Sequence, residues 1–339
     1  IFKVCNSVYT SFDNVGLLKV LTLLKSHKSE FLSGQDLSDV LKISRVAVWK
    51  HIKKIRSEGY TVESKQNLGY KLIGNTERLL PWEITENLNT KFIGKRIYYF
   101  DSMDSTQNFA VEIAPNRKEN GTVVISKKQT EGMGRLKRKW KSPVGGIWLS
   151  VIVHPKFSTS QITLVPIATS LALHKAVEKV LGIKPMLKWP NDLTLKKKKV
   201  AGILLDTSIQ SNKIEFLVLG VGINFKIKPR NLEKLLKKTP NFYGVSTLVE
   251  KNEKPLPLVK QFLYELENVF QMINSGSNKK IVTEWTKRSS TIGKNVSVIT
   301  DDGRFNGKAI KLDIDGGLII TRGKKTKKLF VGDVLHKNQ

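Results

Sequence analysis

The chain has 339 residues, enough for two or three domains, and 40% of them are hydrophobic, which supports real cores and excludes a wholly disordered protein. Its 58 Lys and Arg against 29 Asp and Glu leave a net charge of +29, which points to an anionic partner. A single cysteine (Cys5) excludes an internal disulfide framework and a cysteine zinc site, and no apolar run approaches the ~18 residues of a bilayer helix.

The five histidines are scattered and lack H-E-x-x-H spacing, so no residues are assigned to a metal. No basic stretch followed by an apolar one opens the chain, so no signal peptide is expected and a reducing cytoplasm is the default compartment. The chain starts at Ile1 rather than Met, so its first residues are expected to be incomplete. Cations and acids number 12 and 6 in residues 1–75, 32 and 17 in 76–275, and 14 and 6 in 276–339. The excess is therefore spread too evenly to say which part meets an anion.

Residues 15–73 read as three helices and a hairpin. Leu17, Leu18, Leu21 and Leu24 give residues 16–25 one apolar face. Ser33 is a candidate N-cap for a second helix carrying Leu37, Val40 and Leu41, and Ser44 for a third over 45–58, with Val46, Val48, Ile52 and Ile55 as its apolar positions. Residues 60–64 and 70–73 alternate as short strands. This is a winged helix-turn-helix pattern. Its third helix offers Ser44, Arg45, Trp49, Lys50, Lys53 and Lys54 to a DNA major groove, with Lys65 at the hairpin tip beside the backbone. The competing reading is a small helical domain used for packing or protein contact.

Residues 76–275 read as a mixed α/β domain. Strands are expected at 96–100, 122–127, 147–153, 186–189, 200–208 and 215–223, and helices at 81–88, 106–114, 163–181 and 256–274. Lys196–Lys199 reads as a charged hairpin turn, and Ser275-Gly276-Ser277-Asn278 as a linker. Turn signals every few residues across 292–336 suggest a small antiparallel barrel of about five strands. The expected domains are 1–75, 76–275 and 276–339.

Four clusters could carry chemistry. Gln129…Gly132-Met133-Gly134-Arg135…Arg138-Lys139-Trp140 combines glycines that let backbone approach a ligand, arginines that fork onto phosphate or carboxylate, and an indole that can cover a flat ring. Lys188-Trp189-Pro190-Asn191-Asp192 sets a lysine at a strand end, where α/β sheets form clefts. Asp104-Ser105-Thr106-Gln107 opens a helix, either as a plain cap or as a polar ligand contact. Gly222-Ile223-Asn224 ends an apolar strand in a polar amide. There is neither a P-loop nor a G-x-G-x-x-G fingerprint, and no nucleophile has a histidine at suggestive spacing.

Taken in order, these clusters resemble the bifunctional biotin–protein ligases of the biotin operon repressor type. Ser142-Pro143…Gly146 and Ala201-Gly202-Ile203-Leu204 add to the likeness, as do Ser44-Arg45-Val46-Ala47-Val48-Trp49-Lys50-His51-Ile52 and Gly69-Tyr70-Lys71-Leu72 in the N-terminal part. The resemblance spans about 15–335. It implies an α+β multidomain fold: an N-terminal winged helix-turn-helix, a central class II synthetase-like ligase domain and a C-terminal SH3-like β-barrel.

The implied reaction has two steps. Biotin's carboxylate attacks the α-phosphate of ATP, with Mg²⁺, to give biotinyl-5′-AMP and pyrophosphate. A lysine ε-amine of a biotin carboxyl carrier domain then takes the biotinyl group and AMP leaves. By the family pattern Ser105, Thr106, Gln107, Gln129, Gly132, Met133, Gly134, Arg135 and Lys188 contact biotin, and Arg138, Trp140, Asn191 and Asn224 lie near the nucleotide. Lys188 and Arg135 act in catalysis. Biotinyl-5′-AMP doubles as corepressor, favouring a homodimer that reads a palindromic operator of biotin genes.

One departure stands out: Met133 replaces the first arginine of the family's usual Gly-Arg-Gly-Arg loop. It is expected to pack as an apolar cover while Arg135 and Arg138 carry the charge. Alternatives are a ligase with a non-regulatory N-terminal domain, a ligand-sensing transcription factor without ligase activity, and a lipoate ligase.

Overall fold

The structure, a computed structural model, describes residues 8–10, 15–28, 30–236 and 242–336. These fall into two compact units, residues 10–80 and residues 81–336 with 8–9. Cys5 lies outside the described residues.

A short strand, β1 (Val8–Thr10), precedes the smaller unit and belongs to the sheet of the larger one. The smaller unit comprises α1 (Val15–Ser26), α2 (Gly34–Leu41), α3 (Arg45–Ser57), β2 (Thr61–Lys65) and β3 (Gly69–Gly74). Leu17, Val20, Leu21 and Leu24 of α1 pack with Leu37, Val48, Ile52 and Ile55 in its core. Ser33 and Asp36 form a reciprocal capping box on α2. Lys42, in the left-handed region, ends that helix, and Ser44 Oγ accepts from Ala47 N to start α3. Leu32 and Tyr70 exchange two backbone hydrogen bonds, 2.9 and 2.8 Å, adding a third short rung to the hairpin. Gly69, at φ +107°, is needed there, since a Cβ would lie 2.0 Å from Leu32 O. Val40 and Val46, expected among the apolar core positions, are exposed instead: Leu37 is the residue that α2 buries, and Val48, Ile52 and Ile55 fill the inward face of α3.

The larger unit is built on an eight-stranded mixed sheet. Its elements begin with α4 (Pro81–Thr85), β4 (Ile97–Phe100), α5 (Thr106–Ile113), β5 (Val123–Ser126) and β6 (Ile147–Val153). They continue through α6 (Leu164–Leu181), β7 (Met186–Lys188), β8 (Asp192–Leu195), β9 (Lys198–Gln210) and β10 (Lys213–Ile223). The strand order is β1-β4-β5-β6-β10-β9-β8-β7, with β4 and β5 parallel and β5 through β10 joined antiparallel. Ala110 and Ala114, in and just after α5, pack on Val124, Ile152, Phe216 and Val218. Lys196 and Lys197, at φ +49° and +65°, make the two-residue turn between β8 and β9. The strand β8 was not anticipated from the sequence.

The remaining helices are α7 (Pro229–Leu236), α8 (Pro255–Asn274) and α9 (Asn278–Thr286). α6 is buried nearly all round and packs against α8 and α9. Ser275–Asn278, read as a linker, is the tight connection between α8 and α9: Ser275 N reaches Gln271 O and Ser277 N reaches Met272 O. Trp285 of α9 is buried and donates to Ser170 Oγ of α6 at 2.9 Å. Neither α7 nor α9 was expected.

The chain ends in β11 (Asn295–Thr300), β12 (Gly303–Leu312), β13 (Leu318–Arg322), β14 (Lys325–Leu329) and β15 (Asp333–His336). Their order is β14-β13-β12-β11-β15. The expected small barrel is therefore an open five-stranded sheet among the described residues: the short β15 pairs along β11, at the edge far from β14, and no ladder closes the two edges. No described helix is long and apolar enough to cross a membrane.

Candidate functional site

One end of the site is a network of uncharged polar side chains with one carboxylate, Asp206, at its edge. Ser105 caps α5 and places Thr106 and Gln107 in its first turn. Thr106 donates from both N and Oγ1 to Gln129 Oε1, at 2.7 and 3.0 Å, and Gln129 Nε2 donates to Ser142 Oγ at 2.8 Å. Ser150 Oγ on β6 bridges Thr106 Oγ1 and Gln107 Oε1, both at 2.9 Å. Gln107 Nε2 donates to Asp206 Oδ2 at 2.8 Å and Val218 O at 3.0 Å. Ser105, Thr106, Gln107, Ser142 and Ser150 are buried, Gln129 and Asp206 half-buried, and the network is internally paired, so its side chains hold fixed directions. Gly220 makes room for it: a Cβ there would lie 2.6 Å from Gln107 Oε1.

Beside it, residues 129–142 fold as a narrow hairpin. Trp140 N donates to Gly132 O at 2.7 Å and Gly134 N to Arg138 O at 2.8 Å, with Leu136 and Lys137 at positive φ in the turn. Gly132 is required, because a Cβ would sit 2.5 Å from Trp140 O. Trp140 lies across Gly202 and Gly222, whose Cβ atoms would be 3.1 and 2.6 Å from its ring. Its indole N–H is buried with no hydrogen-bond acceptor. Arg135 Nη1 donates to Asn191 Oδ1 and Gly332 O, both at 3.2 Å, and Arg138 pairs with Asp333. Burial holds the Arg135 guanidinium below its ordinary range, against the pull of Asp333 and Asp192.

The other end is cationic. Lys188 closes β7 and is 5% exposed. Its Nζ lies 3.3 Å from the centroid of the Tyr243 ring. The Tyr243 hydroxyl donates to Asp192 Oδ2 at 2.6 Å, and Asp192 Oδ1 is 2.6 Å from Lys199 Nζ. Lys199 Nζ is in turn 5.0 Å from the Trp140 ring centroid. Burial pulls Lys188 down to about 8; Asp192 and Asp333 oppose the shift and Lys199 adds to it. Burial and the negative Asp192 push the Tyr243 hydroxyl well above its ordinary value. Asn191 Nδ2 is fixed on Ile203 O at 2.6 Å, and Asn224 Nδ2 on Lys199 O at 3.3 Å.

A single cavity unites these parts. Ser105, Thr106, Gln107, Gln129, Met133, Gly134, Arg135, Arg138, Trp140, Lys188, Asn191 and Asn224 all line it, while Gly132 shapes the hairpin from behind. Met133 borders the cavity and is 39% exposed. Sequence reasoning missed Lys199, which was read as part of a surface turn, and Ser150, Asp206, Tyr243 and Asp333. Only Lys199 carried a usable signal: it leads directly into the apolar run beginning at Val200.

The residues assigned to DNA belong to the smaller unit. Ser44, Arg45, Trp49, Lys50, Lys53, Lys54 and Lys65 are all exposed. Ser44 Oγ is engaged in the helix cap, and Lys54 lies 2.7 Å from Glu58.

Comparison with known proteins agrees with this division. Residues 99–224 match the biotin/lipoate A/B protein ligase family, and residues 17–71 match an HTH domain. The chain is 32% identical to the bifunctional ligase/repressor BirA of Bacillus subtilis, over 93% of this chain and 97% of that protein. It is 27% identical to the protein of the same description from Escherichia coli, over 95% and 97%. Among solved structures, biotin protein ligase from Aquifex aeolicus in complex with biotin and ATP superposes with a TM-score of 0.60 at 25% identity, covering 72% of this chain and 99% of that one.

Proposed function

The chain belongs to the family of bifunctional biotin ligase/repressors, and on that premise we propose that it joins biotin to a carrier protein at the expense of ATP and represses transcription when loaded with the intermediate. The observation that carries the ligase reading is the polarity of the cavity: a fixed neutral network at Thr106, Gln107 and Gln129, and three cations at Lys188, Arg135 and Lys199. The first suits biotin's uncharged ureido ring. The second suits a carboxylate and a triphosphate brought together.

Two anions repel, so the cations must offset that repulsion before the carboxylate oxygen can reach the α-phosphorus. As the new P–O bond forms, the bond to pyrophosphate breaks, and Lys188 and Arg135 stabilise the charge on the transferring group. Trp140 covers the nucleotide side, with its unpartnered indole N–H available to the ligand. In the second step a neutral lysine amine of the carrier attacks the biotinyl carbonyl, AMP departs with the bonding pair, and the amine loses a proton. The hairpin 129–142 excludes water from the reactive anhydride meanwhile.

No three His, Cys, Asp or Glu side chains converge on a metal position among the described residues. Mg²⁺ is therefore proposed to arrive on the triphosphate, where it would share in neutralising charge. Residues 1–75 are proposed as the DNA-binding part, 76–275 as the class II synthetase-like ligase part, and 276–339 as an SH3-like module with an open seam. Biotinyl-5′-AMP is proposed as corepressor, acting through a homodimer on operator DNA of biotin genes. A biotin carboxyl carrier domain is the proposed acceptor and the cytoplasm the proposed compartment, the latter supported by the single cysteine.

The test is transfer of labelled biotin from ATP and biotin to a carrier domain, with wild type and Lys188→Ala. Wild type labels the carrier, and the variant loses at least about a hundredfold. Preferential transfer of lipoate in a competition would overturn the biotin assignment. Gel shifts on the chain's own biotin-gene promoters, with and without biotinyl-5′-AMP, test the repressor half.

A further inference from the structure

The outward face of α3 is not simply basic. Val48, Ile52 and Ile55 point into the core, leaving Arg45, Val46, Trp49, Lys50 and Lys53 outside. Val46 is 62% exposed and Trp49 53% exposed, three residues apart and so side by side on the helix. Lys53 Nζ lies 5.5 Å from the Trp49 ring centroid. The whole helix carries no acidic residue. Two large apolar side chains thus stand in water within a ring of cations.

Cations settle on phosphates and carry little sequence information. In a DNA major groove, the apolar group that base edges present is the 5-methyl of thymine. We propose that Val46 and Trp49 are the sequence-reading pair of this helix and that the group they recognise is the thymine 5-methyl. This rests on the DNA-binding reading given above. The surrounding Arg45, Lys50 and Lys53 favour nucleic acid over a protein partner as the occupant of this face, since they match a polyanion and nothing on the helix matches a basic one. Val46 thereby becomes a contact residue, although its spacing had suggested the core.

The experiment uses the full chain with ATP and biotin. A randomised duplex library is enriched for binding, and the enriched duplex is remade with deoxyuridine for thymine, which removes the methyl groups alone. Wild type should bind the uracil duplex more weakly, by about fourfold per methyl that is read. Val46→Ser and Trp49→Gln should bind the two duplexes nearly alike, whereas Lys50→Ala should weaken both by the same factor. Equal wild-type affinity for thymine and uracil duplexes overturns the inference and leaves the repressor reading intact. Enrichment of no duplex overturns both. A changed oligomeric state of Val46→Ser or Trp49→Gln without DNA, seen by sedimentation, assigns the face to a protein contact and also overturns it. The uracil comparison needs wild type only, so it can overturn the inference even if a variant misfolds.

Discussion

Lys188 faces the ring of Tyr243 at 3.3 Å, and the same tyrosine donates its hydroxyl to Asp192. A ring face stabilises a cation without supplying a counter-ion, so the ammonium stays ready for an incoming anion. Its pKa near 8 has a consequence for pH. Anion binding needs the protonated amine, so kcat/KM for biotin should fall above about pH 8, approaching tenfold per unit. Lys188→Arg, at lower activity, should lose that falling limb. The sign for stability is opposite. Between about pH 8 and 10.5 the folded chain holds fewer protons at this site than the unfolded chain, so this group's contribution rises with pH across that window. Denaturation midpoints of wild type and Lys188→Met across that range would show it.

Tyr243 can be separated into ring and hydroxyl. Tyr243→Ala opens Lys188 to water and should move the falling limb above pH 8, since burial is the main cause of the depression. Tyr243→Phe keeps the ring and should leave the limb in place. Identical shifts in the two variants would contradict this account.

The pair Arg138–Asp333 ties the hairpin to the last strand. Arg138→Ala and Asp333→Ala should each increase release of free biotinyl-5′-AMP during turnover, measured by chromatography of the medium. The double variant should be no worse than the worse single one, because both remove one tie.

Two glycines divide the substrates. Gly220→Ala drives a methyl into Gln107 and should raise the biotin KM about tenfold while sparing ATP. Gly222→Ala drives one into Trp140 and should do the reverse. Steady-state KM values for both substrates check the split.

Glu267 is buried on α8 and accepts from three consecutive backbone N–H groups, Lys91, Phe92 and Ile93, at 2.6, 2.9 and 3.0 Å. Glu267→Gln sets an amide NH₂ against one or two of those donors. A loss of about 3 kcal/mol in stability is expected, read as a lower denaturant midpoint at unchanged slope.

Much of this architecture was legible because local signals agreed. The caps Ser33 and Ser44, the glycine at 69 and the periodic leucines of α1 each fix local backbone or facing, so the small unit could be read almost residue by residue. The cavity's lining was legible through motifs, since Gln129, Arg135, Lys188 and Asn191 sit in short distinctive runs. Tyr243 and Asp333 were not, because they reach the site only through long-range packing and nothing in Phe242-Tyr243-Gly244 or Gly332-Asp333 marks a ligand contact. Val46 misled for a related reason: helical spacing shows that a residue lies on a face, but only the neighbouring elements decide which face is covered. The C-terminal turns correctly implied five strands, whereas closure depends on β14 meeting β15, which no local signal encodes.

The hairpin's ties to Gly332 and Asp333 also bear on biosynthesis. Arg138 and Asp333 are separated by 195 positions, so the partner of the reactive loop is synthesised long after the loop itself. A chain released before residue 332 would carry the cations of the site but lack the carbonyl and carboxylate that hold its loop. The means to shelter a reactive anhydride is thus assembled only after Gly332 and Asp333 have been added, well after the cations of the site.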